Sequence, residues 1–441
     1  MIIKIFTFYK KEGLFKLLKL VTTRVVSKIV AIPITIFIVS LSFIIRIRFI
    51  KLFSSRIGHY SINTEFILCG IDLNVENNKR CKTIFYTLPD EPICNDQLHQ
   101  MWKRTIPIFH SSYVATEIDK LLQKWGGKKY ENEPLKKIFE PDGDGRDRWN
   151  LLGKVKKCHL SFTTQEEKHG KVLLEELGVP AEAPFVCLLV RDASYLSNYM
   201  PSADWSYHNF RDADINNYQL AAEYLADQGY YVIRMGKIVK KPFQCNHPKI
   251  IDYATSKLRS DFMDIYLSAH CYFYLTTCSG LDSVARVFRK PLLVTNLVLA
   301  DFDIWHPWDL FIPKKIMDIQ NDKILNIQEM NQLYFEMKSK KKIPQLMQAR
   351  NLQYIDNSPE EIKAVTEEML ARLTGNYLGS EEEEKLQKVF WEYFPKYSVD
   401  DNLPQLNIPV YVDHKIRIGI DFLKRNRSML IDTDIKQAQA I

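Results

Sequence analysis

The chain of 441 residues carries 60 Lys/Arg against 53 Asp/Glu, a net charge of +7, with 46% hydrophobic and 26% charged residues, ordinary values for a globular protein with room for two domains. The excess charge is not spread out: residues 1–58 hold eleven Lys/Arg against Glu12 alone, and the remainder is slightly acidic. Basicity confined to one end argues against a nucleic-acid binder, which carries its charge on the folded surface, and points to a membrane-facing segment.

Residues 29–45, IVAIPITIFIVSLSFII, contain no charge and are bracketed by Lys28 and Arg46. At about 1.5 Å per residue they give roughly 25 Å of helix, the low edge of a bilayer span. The preceding KKEGLFKLLKLVTTRVVSK mixes Lys with Leu and Phe as an interfacial helix does. The apolar core starts too late for a signal peptide, and no small-residue cleavage site follows. Bases stand on both sides, so charge alone orients the segment weakly. The expectation is a basic, apolar, membrane-associated segment over 1–54, spanning or in-plane, that holds the protein to the cytoplasmic side of the inner membrane through residues 1–50.

An N-terminal α/β domain is expected over 55–170. RIGHYSINTEFIL (56–68) reads as a first strand and helix start, CKTIFYTLP (81–89) as a strand ended by Pro89, CNDQLHQMWKRTIPI (94–108) as a helix, and SSYVATEIDKLLQKW as a helix closed by Gly126 and Gly127. His59 stands in the first loop as a candidate substrate-facing base, with Glu65 behind it. The Asp-Gly-Asp of PDGDGRDR (141–148) reads first as a surface turn, since a divalent cation would want further oxygen ligands. The eight cysteines are scattered without a CxxC pair, which predicts reduced thiols in a cytosolic body and no zinc site.

A second α/β domain is expected over 171–375. PFVCLLV (184–190) is a buried-strand run followed at once by Arg191 and Asp192. A loop with Tyr207, His208, Asn209, Phe210, Arg211 and Asp212 leads to an amphipathic helix stopped by Gly229. YYVIRMG (230–236), KIIDYA (249–254), SAHCYFYLTT (268–277) and PLLVTN (291–296) follow as strands, and the polar elbow Thr277-Cys278-Ser279-Gly280 hands the third of them over to a helix. Beyond 375 the acidic SEEEEKLQKVFWEYF (380–394) reads as a solvated helix and the rest as a tail without chemistry; 376–441 is taken as a C-terminal extension.

Arg191, Arg234 with Gly236 and Lys237, and Thr277 with Ser279 and Gly280 all fall just past apolar strands. In an open parallel sheet ligands bind at that edge. Two arginines, a lysine and a helix N-terminus are chemically a site for phosphate or pyrophosphate. The elbow can equally be a turn and cap only. No G-x-G-x-x-G opens a helix and no G-x-x-x-x-G-K-[ST] occurs, which speaks against a dinucleotide dehydrogenase and a P-loop ATPase.

The segments RIGHYSINTE, LLVRDASYL, NFRDADINNY, GYYVIRMGK, DIYLSAHCYFYLTTCSGLDSVARVF and the IPKK at 312–315 resemble, in order, a family of glycosyltransferases from bacterial surface-polysaccharide loci, over about 55–315. More distantly, the VRD after a strand is similar to the His-x-Arg motif of fucosyltransferase-like GT-B enzymes, with Leu189 at the histidine position. The resemblance implies a GT-B-like α/β fold, two Rossmann-like domains facing across a cleft, the second holding an activated sugar donor. It also implies transfer of a sugar from a nucleoside-diphosphate donor to a lipid-linked or surface-polysaccharide glycan. Leaving-group charge would be met by Arg191, Arg234, Lys237 and the elbow amides, with no metal and no cofactor expected. Asn209, Arg211 and Asp212 would shape the sugar pocket, and His59, Asp192 and His208 are the candidate bases for the acceptor hydroxyl. Expected partners are the donor, the glycan acceptor and the membrane surface, with no nucleic acid. A nucleotide-sugar 2-epimerase on the same scaffold and a non-catalytic membrane-associated assembly protein are the alternatives.

Overall fold

In the computed structural model the described residues are 2–75, 80–89, 91–110, 112–127, 147, 150–199, 205–299, 306, 308–336, 343–393 and 416–430. The Asp-Gly-Asp at 142–144 lies outside them. The chain is α/β and forms two compact units, one of Met1–Gly145 with His159–Ser161 and one of Arg146–Cys158 with Phe162–Ile441.

The first unit begins with one long helix, Ile2–Leu41, in which Pro33 is tolerated. A narrow stripe at three- and four-residue spacing, Ser27, Ala31, Thr35 and Ile38, is buried. It packs against Ala115, Ile118 and Leu122 of the helix Tyr113–Trp125 and against Phe49 and Tyr86 of the sheet. The Thr35 hydroxyl is satisfied inside the helix by the Ala31 carbonyl at 2.7 Å. Exposed on the rest of the circumference are apolar residues, including Val25, Val26, Ile29, Ile36 and Phe37, together with the bases Lys19, Arg24 and Lys28.

Three parallel strands follow, β1 (Arg46–Leu52), β2 (Cys81–Thr87) and β3 (Ile108–Phe109), in the order β1-β2-β3. The strand expected from RIGHYSINTEFIL is instead helical: His59–Asn63 is a single turn of π-helix running into the helix Thr64–Asp72. The true first strand is RIRFIKL, read from sequence as the basic flank of the apolar segment. Its buried positions include Phe49, Ile50 and Leu52, while Arg48 reaches across to donate to the Thr83 hydroxyl of β2 at 2.7 Å.

The second unit is a seven-stranded, wholly parallel sheet built from β4 (Phe185–Leu189), β5 (Tyr231–Arg234), β6 (Ile250–Ile251), β7 (Tyr274–Thr276), β8 (Leu292–Leu297), β9 (Leu310–Pro313) and, in the C-terminal tail, β13 (Arg417–Ile418). The order is β13-β9-β8-β7-β4-β5-β6. The chain runs outward from β4 through β5 and β6, then returns to the other side of β4 as β7 and continues through β8 and β9. Every residue of β4 and β8 is buried, as strands covered on both faces must be, which is why they read as unbroken apolar runs. A small antiparallel sheet of β10 (Lys315–Asp318), β11 (Lys323–Ile324) and β12 (Leu352–Ile355) follows β9 directly.

The tail that sequence left without a role supplies the edge strand β13. Two residues are too few to announce themselves in sequence. Here they are held from outside: Gln387, on the helix Glu381–Tyr393, donates to the Ile418 carbonyl at 2.6 Å and accepts from its amide at 3.3 Å, closing the sheet edge as another strand would.

Candidate functional site

The reversal of strand order lies between β4 and β7, and their carboxyl ends open the crevice where ligands bind in such sheets. Arg191 stands two residues past β4, its amide fixed to the Thr277 hydroxyl at 2.9 Å while the Thr277 amide returns to the Leu189 carbonyl at 3.2 Å. The two strand ends are thereby tied together. The Arg191 guanidinium, 8% exposed, pairs with the Asp212 carboxylate and donates to the His208 carbonyl at 3.1 Å.

Those two acceptors belong to the 3-10 turn Ser206–Arg211 and its next residue, so the loop is pinned over the strand ends. Arg211 reinforces it by donating to the Cys278 carbonyl of the elbow at 2.6 Å. A third cation comes from the end of β9: Lys314 donates to the Asp212 carbonyl and to the Asp356 carboxylate, both at 2.7 Å. Burial lowers the pKa of the Lys314 ammonium, Asp356 opposes that, and nearby Arg191 adds to it. Lys314 lies in the IPKK segment, yet its place among these groups was not legible; a lysine after a strand is usually solvated.

Asn209 is exposed, and its carbonyl accepts from the Asp212 amide at 2.9 Å. The His208 ring stacks with Trp205 and lies tilted against Tyr207, ring centroids 4.1 Å apart. Both oxygens of Asp192 accept from loop amides, Ser194 at 2.8 Å and Lys240 at 2.9 Å.

The elbow is a turn with its own internal anion. Cys278 takes φ 56, a left-handed conformation that costs a non-glycine residue about a kcal/mol or more. The Ser279 amide donates to Asp282 at 2.8 Å, as does the Thr276 hydroxyl, and that carboxylate is buried. Gly280 is exposed beside it. The helix that follows, Asp282–Val287, is only six residues long.

Arg234 is the last residue of β5, on the other side of β4, and Gly236 and Lys237 follow it. The Arg234 guanidinium is 1% exposed and donates to Asp252 at 3.0 Å and to the Lys241 carbonyl at 3.2 Å. Lys237 lies 3.3 Å from Asp261. Gly236, at φ 153, has no room for a side chain: a Cβ there would stand 2.6 Å from the Val239 side chain.

In the first unit His59 sits on the π-turn against Phe53, which immediately follows β1, with Asn63 3.4 Å from its Nδ1. Two further histidines of this unit had no signal in the sequence. His110 follows β3 and lies 3.2 Å from the Thr87 hydroxyl at the end of β2, and its ring is 5.0 Å from that of His99. The His99 Nδ1 is 2.6 Å from the Tyr60 hydroxyl. Burial, then His110 and Lys103, lower the His99 pKa, so it is a neutral imidazole at pH 7. Only the parallel pairing of β2 with β3 brings residues 87, 99 and 110 together, and no motif signals it.

Glu65 lies elsewhere in this unit. It shares one face of the helix Thr64–Asp72 with Cys69, and the two, with His159, each place one ligand atom within 4.8 Å of the others. The expectation that the chain needs no metal is corrected by this cluster, a Glu/Cys/His donor set of transition-metal type. Its members are four and ninety residues apart in sequence, so ligand spacing could not reveal it.

No protein-family model and no curated protein matches this sequence. Among solved structures, the chain is similar to E. coli ADP-heptose lipopolysaccharide heptosyltransferase II at 11% identity, over 56% of this chain and 84% of that one, with a TM-score of 0.30. It is similar to the family 9 glycosyl transferase of Veillonella parvula at 9% identity, over 56% and 79%, with a TM-score of 0.32. It is also similar to the iron-containing dodecameric glycosyltransferase TibC of enterotoxigenic E. coli at 14% identity, over 60% and 61%, with a TM-score of 0.28.

Proposed function

We propose that the protein is a membrane-associated glycosyltransferase that moves a sugar from a nucleoside-diphosphate donor to a lipid-linked or surface-polysaccharide glycan. The observation that carries this is the gathering of Arg191, Thr277, Lys314 and the pinned 206–212 loop at the strand-order reversal of a parallel sheet. The ordered resemblance of the strand-end segments to polysaccharide glycosyltransferases supports the same reading.

In this reading Arg191 turns from Asp212 toward the donor diphosphate, and its fork geometry holds two oxygens as the leaving group gains charge. Lys314 holds the loop and adds positive potential. Thr277, Ser279 and Gly280 shape the floor of the crevice, Arg234, Gly236 and Lys237 its β5 side, and Asn209 and Arg211 the sugar end. His59 is the preferred acceptor base, with the neutral His99 as a further candidate and Asp192 and His208 behind them. The test is a thermal-shift screen of the full chain in mild detergent against UDP, GDP, CMP, ADP and dTDP. One nucleotide should raise the melting temperature by several degrees, about 2.7 kcal/mol at a hundredfold excess over Kd. Folded protein that responds to none of them would overturn the reading.

The N-terminal helix serves as an in-plane anchor on the cytoplasmic face of the inner membrane. Leu18–Leu41 is long and apolar enough to cross a bilayer, with 22% of its apolar window buried. Its buried stripe, however, lies along a helix that carries Glu117, Lys120 and Lys124, and charges in the bilayer core cost about 2.5–3.5 kcal/mol each. Lying in the interface, the helix sinks Ile29, Ile36 and Phe37 into lipid while the bases meet anionic headgroups. In vesicle flotation with anionic lipid the full chain should float, and the Ile29→Glu/Phe37→Glu variant should float at least tenfold less with its circular dichroism intact. Equal flotation of the two would sink the assignment.

A further inference from the structure

Glu65, buried at the start of the helix Thr64–Asp72, has its two carboxylate oxygens directed to different groups. Oε1 lies 3.8 Å from the Cys69 thiol, one turn on, and Oε2 lies 3.1 Å from Nδ1 of His159. The His159 Nδ1 is buried and makes no aligned hydrogen bond, although a carboxylate is that close. The other ring nitrogen, Nε2, is 3.1 Å from the carboxylate of Asp72, at the far end of the same helix.

These distances are those of ligands around a small metal ion. With metal–sulfur bonds of about 2.3 Å and metal–nitrogen or –oxygen bonds of about 2.0–2.2 Å, tetrahedral ligands stand roughly 3.3–3.7 Å from one another. The Glu–His and Glu–Cys separations bracket that range, and all three donors lie within 4.8 Å. Helical spacing supplies two ligands from one face, and His159 closes the third side. The Asp72 contact behind the imidazole is the outer carboxylate that metal-bound histidines use to fix their tautomer and gain basicity. The donor set is mixed soft and hard, which suits zinc or ferrous iron and disfavours calcium or magnesium.

We propose that Glu65, Cys69 and His159, the last through Nδ1, bind a divalent transition-metal ion of the zinc type, with Asp72 orienting the imidazole from behind. Three protein ligands leave a fourth position for water or a small anion. The competing account is an ion pair, His159 shared between Glu65 and Asp72 with Cys69 as packing.

Metal content of the purified full chain, measured by plasma mass spectrometry and then by cobalt reconstitution after chelation, separates the two. Metal binding predicts about one ion per chain and a thiolate-to-cobalt charge-transfer band. Cys69→Ser should lose that band, and Cys69→Ser and His159→Asn should each lower occupancy at least tenfold. Asp72→Asn, at an exposed position, should weaken zinc affinity by about 10–100-fold while the protein stays folded. Cys245→Ser, in the second unit, should leave content and spectrum unchanged. If Cys69→Ser fails to fold, Asp72→Asn and the wild-type cobalt spectrum still decide. A folded wild type that retains no metal and gives no thiolate band, or metal held equally by the Asp72 and His159 variants, would overturn the proposal in favour of the ion pair.

Discussion

Arg191→Ala is expected to lower sugar transfer by about a hundredfold or more and to erase the nucleotide-dependent rise in melting temperature. The size follows from comparable groups: removing one preorganised donor to developing negative charge costs about 10²–10³ in rate. The same guanidinium holds Asp212 and the His208 carbonyl, so its loss also takes from the Asp212 carboxylate its ion pair with Arg191. Two further variants separate binding from scaffolding. Arg191→Lys keeps the charge but not the planar fork, and should retain folding while losing roughly tenfold in transfer. Asp212→Asn removes the internal competitor for Arg191, keeps an oxygen acceptor, and should leave nucleotide binding equal or tighter. Nucleotide titration of each folded variant is the measurement. A folded Arg191→Ala protein with the wild-type nucleotide shift would remove Arg191 from the donor site.

The strands of the second unit were legible because burial on both faces writes itself as an apolar run, and polar residues that break such a run mark strand ends. Arg191 and Thr277 were found that way, and the sheet order then ties them through direct bonds. Arg234 gives the same signal in sequence, but its guanidinium is turned into Asp252 and the Lys241 carbonyl. A strand-end arginine thus announces its position and not its direction. The elbow shows the same limit. Asp282 is visible three residues after Ser279, but that it folds back onto the Ser279 amide depends on Cys278 adopting positive φ. Strand β1 was obscured by its company: its own three basic residues and the apolar helix just before it made RIRFIKL look like a membrane flank. The Glu65–Cys69–His159 cluster and the His99–His110 pair depend on contacts between segments remote in sequence, which no periodicity encodes.

The carboxyl edge between β8 and β9 is expected to be the point where the second unit is most easily broken, and Asn296→Ala should show it. Asn296 closes a reciprocal pair: its amide donates to the Asn357 side chain at 2.6 Å, and the Asn357 amide donates to its side chain at 2.7 Å. Its own side-chain amide donates to the Tyr218 hydroxyl at 3.0 Å, and Asn357 extends the network to the Pro313 carbonyl at 2.8 Å, one residue before Lys314. All of these side chains are buried, and Tyr218 is held well above the usual phenol pKa by burial, so it stays a neutral hydroxyl. Truncation orphans the Asn357 amide, at about 1–3 kcal/mol for a buried group left unsatisfied, and removes one hydrogen bond of Tyr218, which keeps Thr295 at 2.7 Å, at about 1 kcal/mol. Asn296 also sits at φ 53, which an alanine adopts at a cost of about 1–2 kcal/mol. The total, about 3–6 kcal/mol, should lower the melting temperature by roughly 10 °C or more for a unit of this size. Asn296→Gly relieves the backbone cost but not the lost bonds, so it should recover about a quarter of that fall. Equal melting of the glycine and alanine variants would remove the backbone component, and melting within a degree of wild type for both would mean that the network does not hold the strand ends. Because Lys314 and the Asp212 loop rest on those ends, nucleotide affinity should fall alongside the melting temperature, whereas a network unrelated to the site would leave affinity where it was.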